Sequence, residues 1–267
     1  PVTFLRTIEK IDHLLVDGET PIPVLHAVIA SDPMLTALIL GRANAARREP
    51  VLQLSSAMRL LGLGTVHGLV REARAVADTQ RQALASCWAL ANATATFTRI
   101  IGVRAQAALP QRLDDESLHA LGLLHDLGTA RAILHFTAEY ARAGVRVVDE
   151  PRPFAALLKE ELGADACELG RMLAAEWNLP PAIAAVIVHH PAGAAAPAYG
   201  ELVALVHLAR GLARALGFGA SGDLYLDPID EGCLPRLRIA HAEIEMILKQ
   251  FYQETEENEL YEGALVL

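Results

Sequence analysis

The strongest constraint on the fold is a seven-residue stretch, Gly122-Leu123-Leu124-His125-Asp126-Leu127-Gly128. It sets an imidazole beside a carboxylate near the end of an apolar segment. That segment begins at Leu113-Asp114-Asp115-Glu116, where acidic side chains complement the dipole of a helix's first turn. Adjacent residues on a continuous helix point about 100° apart. His125 and Asp126 therefore face one target only if the helix loosens, and Gly128 is the position expected to end or kink it. A second stretch, Val188-His189-His190-Pro191, follows about sixty positions later. It places two imidazoles just before a helix-stopping proline. His and Asp are the ligands that a hydrolytic metal site would use.

The material around these stretches is suited to helices. Of the 267 residues, 52% are hydrophobic but only 5% are aromatic, so Ala, Leu and Val must fill the core. Ala and Leu are strong helix formers, and the β-branched and aromatic runs of strands are scarce. The formal charge of −9 argues against direct nucleic-acid binding, which needs clustered Lys and Arg. Cys87, Cys167 and Cys233 are odd in number and far apart, which gives no disulfide framework and fits a reducing cytoplasm. No uncharged apolar run reaches the ~18 residues of a membrane span. No basic region followed by an apolar run marks a signal peptide. The chain opens on Pro1 rather than Met, which leaves room for upstream sequence, including another domain.

Taken in order, periodicity and stop signals predict helices over 4–15 (broken by Asp17-Gly18) and from Pro33, capped by Ser31 or Asp32. Further helices are expected from a Ser55 cap to Gly62, from Thr65 to about Ala73, and over 81–102, a long Ala-rich helix containing Trp88. Trp88 reads as a packing residue between helices. Then come 154–162 closed by Gly163, and 166–177 capped by Asp165, packing Leu169, Met172, Leu173 and Trp177. The last are 182–189, 201–216 stopped by Gly217, and 239–252. Residues 218–235 read as a loop, and the Glu-rich end as a fraying tail. Asp32 is a cap rather than a catalyst, and Asn44 bonds neighbouring backbone. Cys87 and Cys167 are expected to be buried and inert. The remaining His67, His119, His135, His207 and His241 are read as surface or satisfied. A composition shift near 77–81 suggests two lobes sharing an interface.

An ordered set of residues carries a resemblance. It runs Ser31-Asp32-Pro33-Met34-Leu35, Ala43-Asn44-Ala45, Leu54-Ser55-Ser56-Ala57 through Leu60-Leu61-Gly62, Trp88, and the Gly122–Gly128 stretch. It continues with Gly163, Glu168-Leu169-Gly170, Trp177-Asn178-Leu179-Pro180 and His189-His190. In order and spacing this resembles the HDOD domain, the HD-related output domain of bacterial signalling proteins, over about residues 5–215. The resemblance implies an all-α fold in which an N-terminal helical lobe (1–80) packs on an HD-domain-like helical lobe (81–217). Residues 218–267 would add a C-terminal loop, helix and acidic tail within one HDOD-type unit. It also implies a regulatory, cytoplasmic role beside other signalling domains, and kinship with HD and HD-GYP phosphohydrolases.

An HD hydrolase needs a first His on the long helix, then the His-Asp pair, then a distal Asp. Its metal generates hydroxide near neutral pH and neutralises phosphate charge. Here the pair is His125-Asp126, but Leu90 and Ala91 stand where the first His belongs. Arg210, in Val206-His207-Leu208-Ala209-Arg210, falls about where the distal Asp would stand, and Ala166 replaces a His common among relatives. A cation in place of a ligand opposes a divalent ion. His125, Asp126, His189 and His190 are then either a partial site for one ion (Mn, Fe, Mg or Zn) or a buried polar network. The missing ligands favour the network, with no cofactor. The expected function is a non-catalytic signalling module that binds signalling proteins and holds, at most, a nucleotide or cyclic dinucleotide. The alternative is a metal-dependent phosphohydrolase acting on such a nucleotide.

Overall fold

The computed structural model describes residues 1–16, 22–219 and 225–256. Among them are fifteen α-helices. The N-terminal group is α1 (Leu5–Val16), α2 (Ile22–Ala30), α3 (Pro33–Asn44), α4 (Leu54–Leu61) and α5 (Leu63–Arg71). The middle of the chain is α6 (Asp78–Arg104), α7 (Asp115–Leu123), α8 (Leu127–His135), α9 (Thr137–Asp149) and α10 (Phe154–Leu162). The rest is α11 (Ala166–Glu176), α12 (Pro181–His189), α13 (Gly200–Ala215), α14 (Cys233–Leu237) and α15 (His241–Glu256). The strands are two-residue bridges: Val2–Thr3 pairs in parallel with Arg74–Ala75. No single helix among the described residues is long and apolar enough to cross a membrane.

Local chemistry explains most of the boundaries. Asp32 caps α3 by accepting the Leu35 N–H at 2.9 Å, with Pro33 in the first turn. The same buried carboxylate accepts from Trp88 Nε1 at 3.3 Å and from the Thr3 hydroxyl, so one cap ties the N-terminal segment, α3 and α6 together. Trp88 thus packs between helices as expected, edge-on to Phe4 at 6.2 Å. Asn44 clamps the chain after α3, donating to Leu40 O and Val51 O and accepting from Val51 N–H. Asp165 and Glu168 form a reciprocal capping box at the start of α11.

Several expectations need correction. Ser55 lies inside α4, whose N-cap is Gln53; its N–H goes to Glu116 Oε2 at 3.0 Å. Thr65 lies inside α5, which starts at Leu63 because the Gly62 carbonyl already accepts the first bonds. Met172 faces solvent, 47% exposed. The stretch 218–235 is closed by α14, and Glu254 and Glu256 belong to α15 rather than to a tail. The Asp17-Gly18 break and Glu257, Glu259 and Glu262 lie outside the described residues.

Helix α6 is the pillar of the molecule. Its 27 residues extend about 40 Å at 1.5 Å per residue. It packs against α7, α8, α13 and α15. One buried apolar cluster runs from Ile11 to Phe251. Phe251 locks α15 to this core, stacked on Phe97 at 3.9 Å and edge-on to Phe218 at 5.4 Å. A smaller cluster, including Val147, Phe154, Leu157 and Leu169, holds α9 and α10 to α11.

Gly128 does not end a helix. It sits in α8, pressed against α11: a β-carbon there would lie 1.7 Å from Ala166 O and 2.8 Å from Gly170 N. Gly128→Ala is expected to lower stability in urea denaturation by about 1–3 kcal/mol, as overpacking does. Gly144→Ala in α9, where nothing lies within 4 Å of the new methyl, should instead raise stability by about 0.5–1 kcal/mol through helix propensity. Equal effects of the two substitutions would show that the α8–α11 approach is not a tight one.

Candidate functional site

The loosening that His125 and Asp126 require comes before Gly128. Helix α7 ends at Leu123, and α8 begins at Leu127 with Asp126 as its N-cap residue, at φ −115°, ψ 33°. The two side chains therefore leave from a turn and not from one helix face. Both are buried. His125 Nδ1 donates to Gly122 O at 2.7 Å, which puts the proton on Nδ1 and leaves Nε2 with its lone pair. That Nε2 atom is buried and has no hydrogen-bond partner. Asp126 Oδ1 accepts from the Thr129 hydroxyl at 2.5 Å.

Helix α12 delivers the second imidazole. His190 lies just past its end and opens a 3₁₀ turn, His190–Ala195. Its Nδ1 donates to Ile187 O at 3.2 Å, and its ring meets that of His125 edge-on, with centroids 5.1 Å apart. His189 is half-buried at the end of α12; the ring that contacts His125 is that of His190. From α13, His207 Nδ1 donates to His190 O at 2.8 Å and its Nε2 accepts the Asp230 N–H at 3.0 Å. One turn along α13 stands Arg210. Its Nη1 donates to Asp227 Oδ2 at 3.1 Å, while its Nε is buried without a partner. Leu90 and Ala91 are buried in α6.

The electrostatics follow from burial. Desolvation is the main cause that lowers His125 to about 4; the Arg210 charge adds to it, and the Asp126 carboxylate opposes it. Burial, the neighbouring His125 and Arg210 hold His190 well below the usual imidazole range. Burial, with Asp126 next, pushes the half-buried Cys167 thiol up to about 12. Burial likewise raises buried Cys87. Both thiols stay protonated and unreactive.

A divalent ion is what HD-type chemistry would place here. His125 Nε2 is oriented as a metal-binding imidazole would be, with its other nitrogen fixed by a carbonyl. The remaining donors do not fit. Asp126 keeps acceptor sites beside its Thr129 bond, but the Arg210 charge bears on both imidazoles and opposes a divalent ion. Among the described residues no group of three or more His, Cys, Asp and Glu side chains is arranged to hold a metal. Reading the sequence alone missed Thr129, Asp227 and the bridging role of His207. Its only trace was spacing: Thr129 follows Asp126 by three, and His207 precedes Arg210 by three, each on one helix face.

The chain is thus an all-α helical domain with a buried His-Asp turn whose imidazole meets a second, His190, from the end of α12. The HDOD domain family model matches residues 2–192, and the chain belongs to that family. Among solved structures, the MmoQ response regulator of Methylococcus capsulatus is similar at 24% identity and a TM-score of 0.69, with 92% of this chain and 97% of that one covered. An HDOD domain protein of unknown function from Geobacter sulfurreducens is similar at 20% identity and a TM-score of 0.58, with 99% and 93% covered. A virulence factor from Campylobacter jejuni gives 17% identity and a TM-score of 0.59, with 82% and 81% covered. At these identities the likeness establishes the shared fold. No curated protein sequence matches significantly.

The low value for His125 has a consequence for stability. The folded chain keeps the ring neutral down to about pH 4, whereas the unfolded chain protonates it near 6.5. The unfolded state binds the extra proton in that window, so stability is full above about pH 6.5 and is lost as pH falls toward 4. The loss from this ring is on the order of 3 kcal/mol, and His190 and His119 act in the same direction. Urea denaturation at steps across the window should show this slope, and His125→Leu should flatten it. An unchanged slope in the variant would mean that another group titrates.

Proposed function

We propose that this protein is a non-catalytic signal-transduction module that works by binding other signalling proteins, with its HD-type pocket kept as a buried polar network. Membership of the HDOD family and the likeness to a response regulator support a signalling role. The observation that carries the non-catalytic reading is the charge arrangement around His125. The charge of a guanidinium, Arg210, held by Asp227 at 3.1 Å, bears on both His125 and His190 and opposes a divalent ion beside them. In such a pocket each imidazole is anchored to backbone, His125 to Gly122 O and His190 to Ile187 O, and Asp126 to the Thr129 hydroxyl.

A second reading rests on one atom. The buried, unpartnered His125 Nε2 is the donor that a metal-dependent phosphohydrolase acting on a nucleotide or cyclic dinucleotide would use. Elemental analysis and turnover assays separate the two. The expected result is a purified chain carrying far less than one transition metal ion per molecule. Such a chain should hydrolyse neither bis(p-nitrophenyl) phosphate nor cyclic di-GMP when Mn²⁺ or Mg²⁺ is added. About one tightly held ion per chain, with turnover abolished in folded His125→Ala and Asp126→Ala, would overturn the first reading in favour of the second.

A further inference from the structure

A cavity of about 250 Å³ lies between the N-terminal helices and the α6–α7 pair, and it shares no lining residue with the His125 pocket. Its walls are apolar and made of short side chains: Ala27 and Ala30 from α2, Leu54 from α4 and Ala120 from α7. The volume falls below the ~300–1,000 Å³ usual for drug-sized ligands, so one fused ring system fits and a dinucleotide does not.

The polar groups at this cavity are an unpaired imidazole nitrogen and carboxylates fixed in place. His26 Nε2 is buried and has no hydrogen-bond partner. It stands 3.7 Å from Glu116 Oε2, beyond hydrogen-bond reach. Glu116 is held in place by the Ser55 N–H on the same oxygen at 3.0 Å. His119 Nε2 donates to Ala30 O at 3.0 Å, so its Nδ1 keeps a lone pair, and burial keeps that ring neutral. The Arg99 guanidinium is committed to Glu254, with Asp115 at 3.7 Å. Asp115 and Glu254 flank that guanidinium, and Glu116 adds a further carboxylate at the cavity wall. An anionic group is disfavoured here, and a ligand that brings N–H donors or positive charge is favoured.

We propose that this cavity binds a small, flat heteroaromatic amine. Its exocyclic amine donates to Glu116 Oε2, the adjacent ring nitrogen pairs with His26 Nε2, and its ring lies against Ala27, Ala30, Leu54 and Ala120. Because the walls come from α2, α4, α6 and α7, such a ligand ties the N-terminal helices to the central pair and stabilises the folded chain.

The test is thermal shift and calorimetric titration of the whole chain with 2-aminobenzimidazole and with adenine, against inorganic phosphate. The amines should bind at one site and raise the melting temperature, and phosphate should do neither. Glu116→Gln should weaken amine binding about tenfold or more, the loss of one charge-assisted hydrogen bond. Ala27→Leu, which fills the slot, should abolish it, and His125→Ala should leave it unchanged. No binding of either amine overturns the proposal. So does binding of phosphate in their place, or amine binding unaltered in both cavity variants. None of these outcomes depends on whether the His125 pocket holds a metal.

Discussion

Direct backbone approach at two glycines holds the candidate site together. At Gly122 a β-carbon would lie 2.5 Å from Thr98 Oγ1 and 2.6 Å from Ala95 Cα, so α7 is pressed onto α6. At Gly128 the neighbour is Ala166 O on α11. The His125–Asp126 turn is bracketed by these two contacts, one on each side of the chain. Helix packing at such short range needs a missing side chain, because interiors are close-packed and yield little. The turn can therefore break the helix without becoming loose. The direction of the His125 ring is set by the carbonyl of Gly122, one of the two bracketing residues.

That rigidity has an electrostatic consequence. The two imidazoles meet edge-on in a buried pocket, where a charged ring would lose its hydration. Both are held neutral, by burial first and by the Arg210 charge in addition. Charge compensation takes place at the pocket's edge: Asp227 accepts from Arg210 at 3.1 Å and from Arg214 at 3.2 Å. A divalent ion among these groups would add positive charge where a guanidinium already acts. The same arrangement suits a closed network, in which His207 links the His190 carbonyl to the Asp230 N–H and so ties the chain around Asp230 to α12 and α13.

Features set by neighbouring residues were legible in the sequence. The Asp32 and Asp165 caps, the Gly163 stop, the long α6 and the α12 stop at His190-Pro191 depend on residues a few positions apart. Helix α9 was not legible. Gly144 breaks its apolar pattern in sequence, and Val145 and Val148 are exposed while Ala143 and Val147 are buried, so its hydrophobic residues mislead about its inner face. Within the site, the identities of His125, Asp126 and His190 could be read from the chain, but the choice of His190 over His189 could not. It depends on where α12 unwinds, and adjacent residues at that point diverge widely in direction. Gly128 was recognised as part of the geometry but given the wrong task. A glycine required by a distant carbonyl looks the same in sequence as one that ends a helix.

Helix α7 joins the two polar regions of the molecule. Its nine residues span about 13 Å, and both ends carry chemistry. Glu116 and His119 face the cavity near its start, and Gly122 holds the His125 ring near its end. The two ends are fixed differently. The C-terminal end is locked by the backbone contact with α6, which a few tenths of an ångström would disrupt. The N-terminal end is held by polar links from Glu116 to Ser55 and from Asp114 to Gln53, which bind it to the start of α4. Hydrogen bonds at a partly exposed edge are individually worth about 0.5–1.5 kcal/mol and re-form with new partners, whereas a packed glycine contact has no alternative arrangement. The end of α7 that can adjust is thus the one facing the N-terminal helices, and the end beside His125 stays fixed.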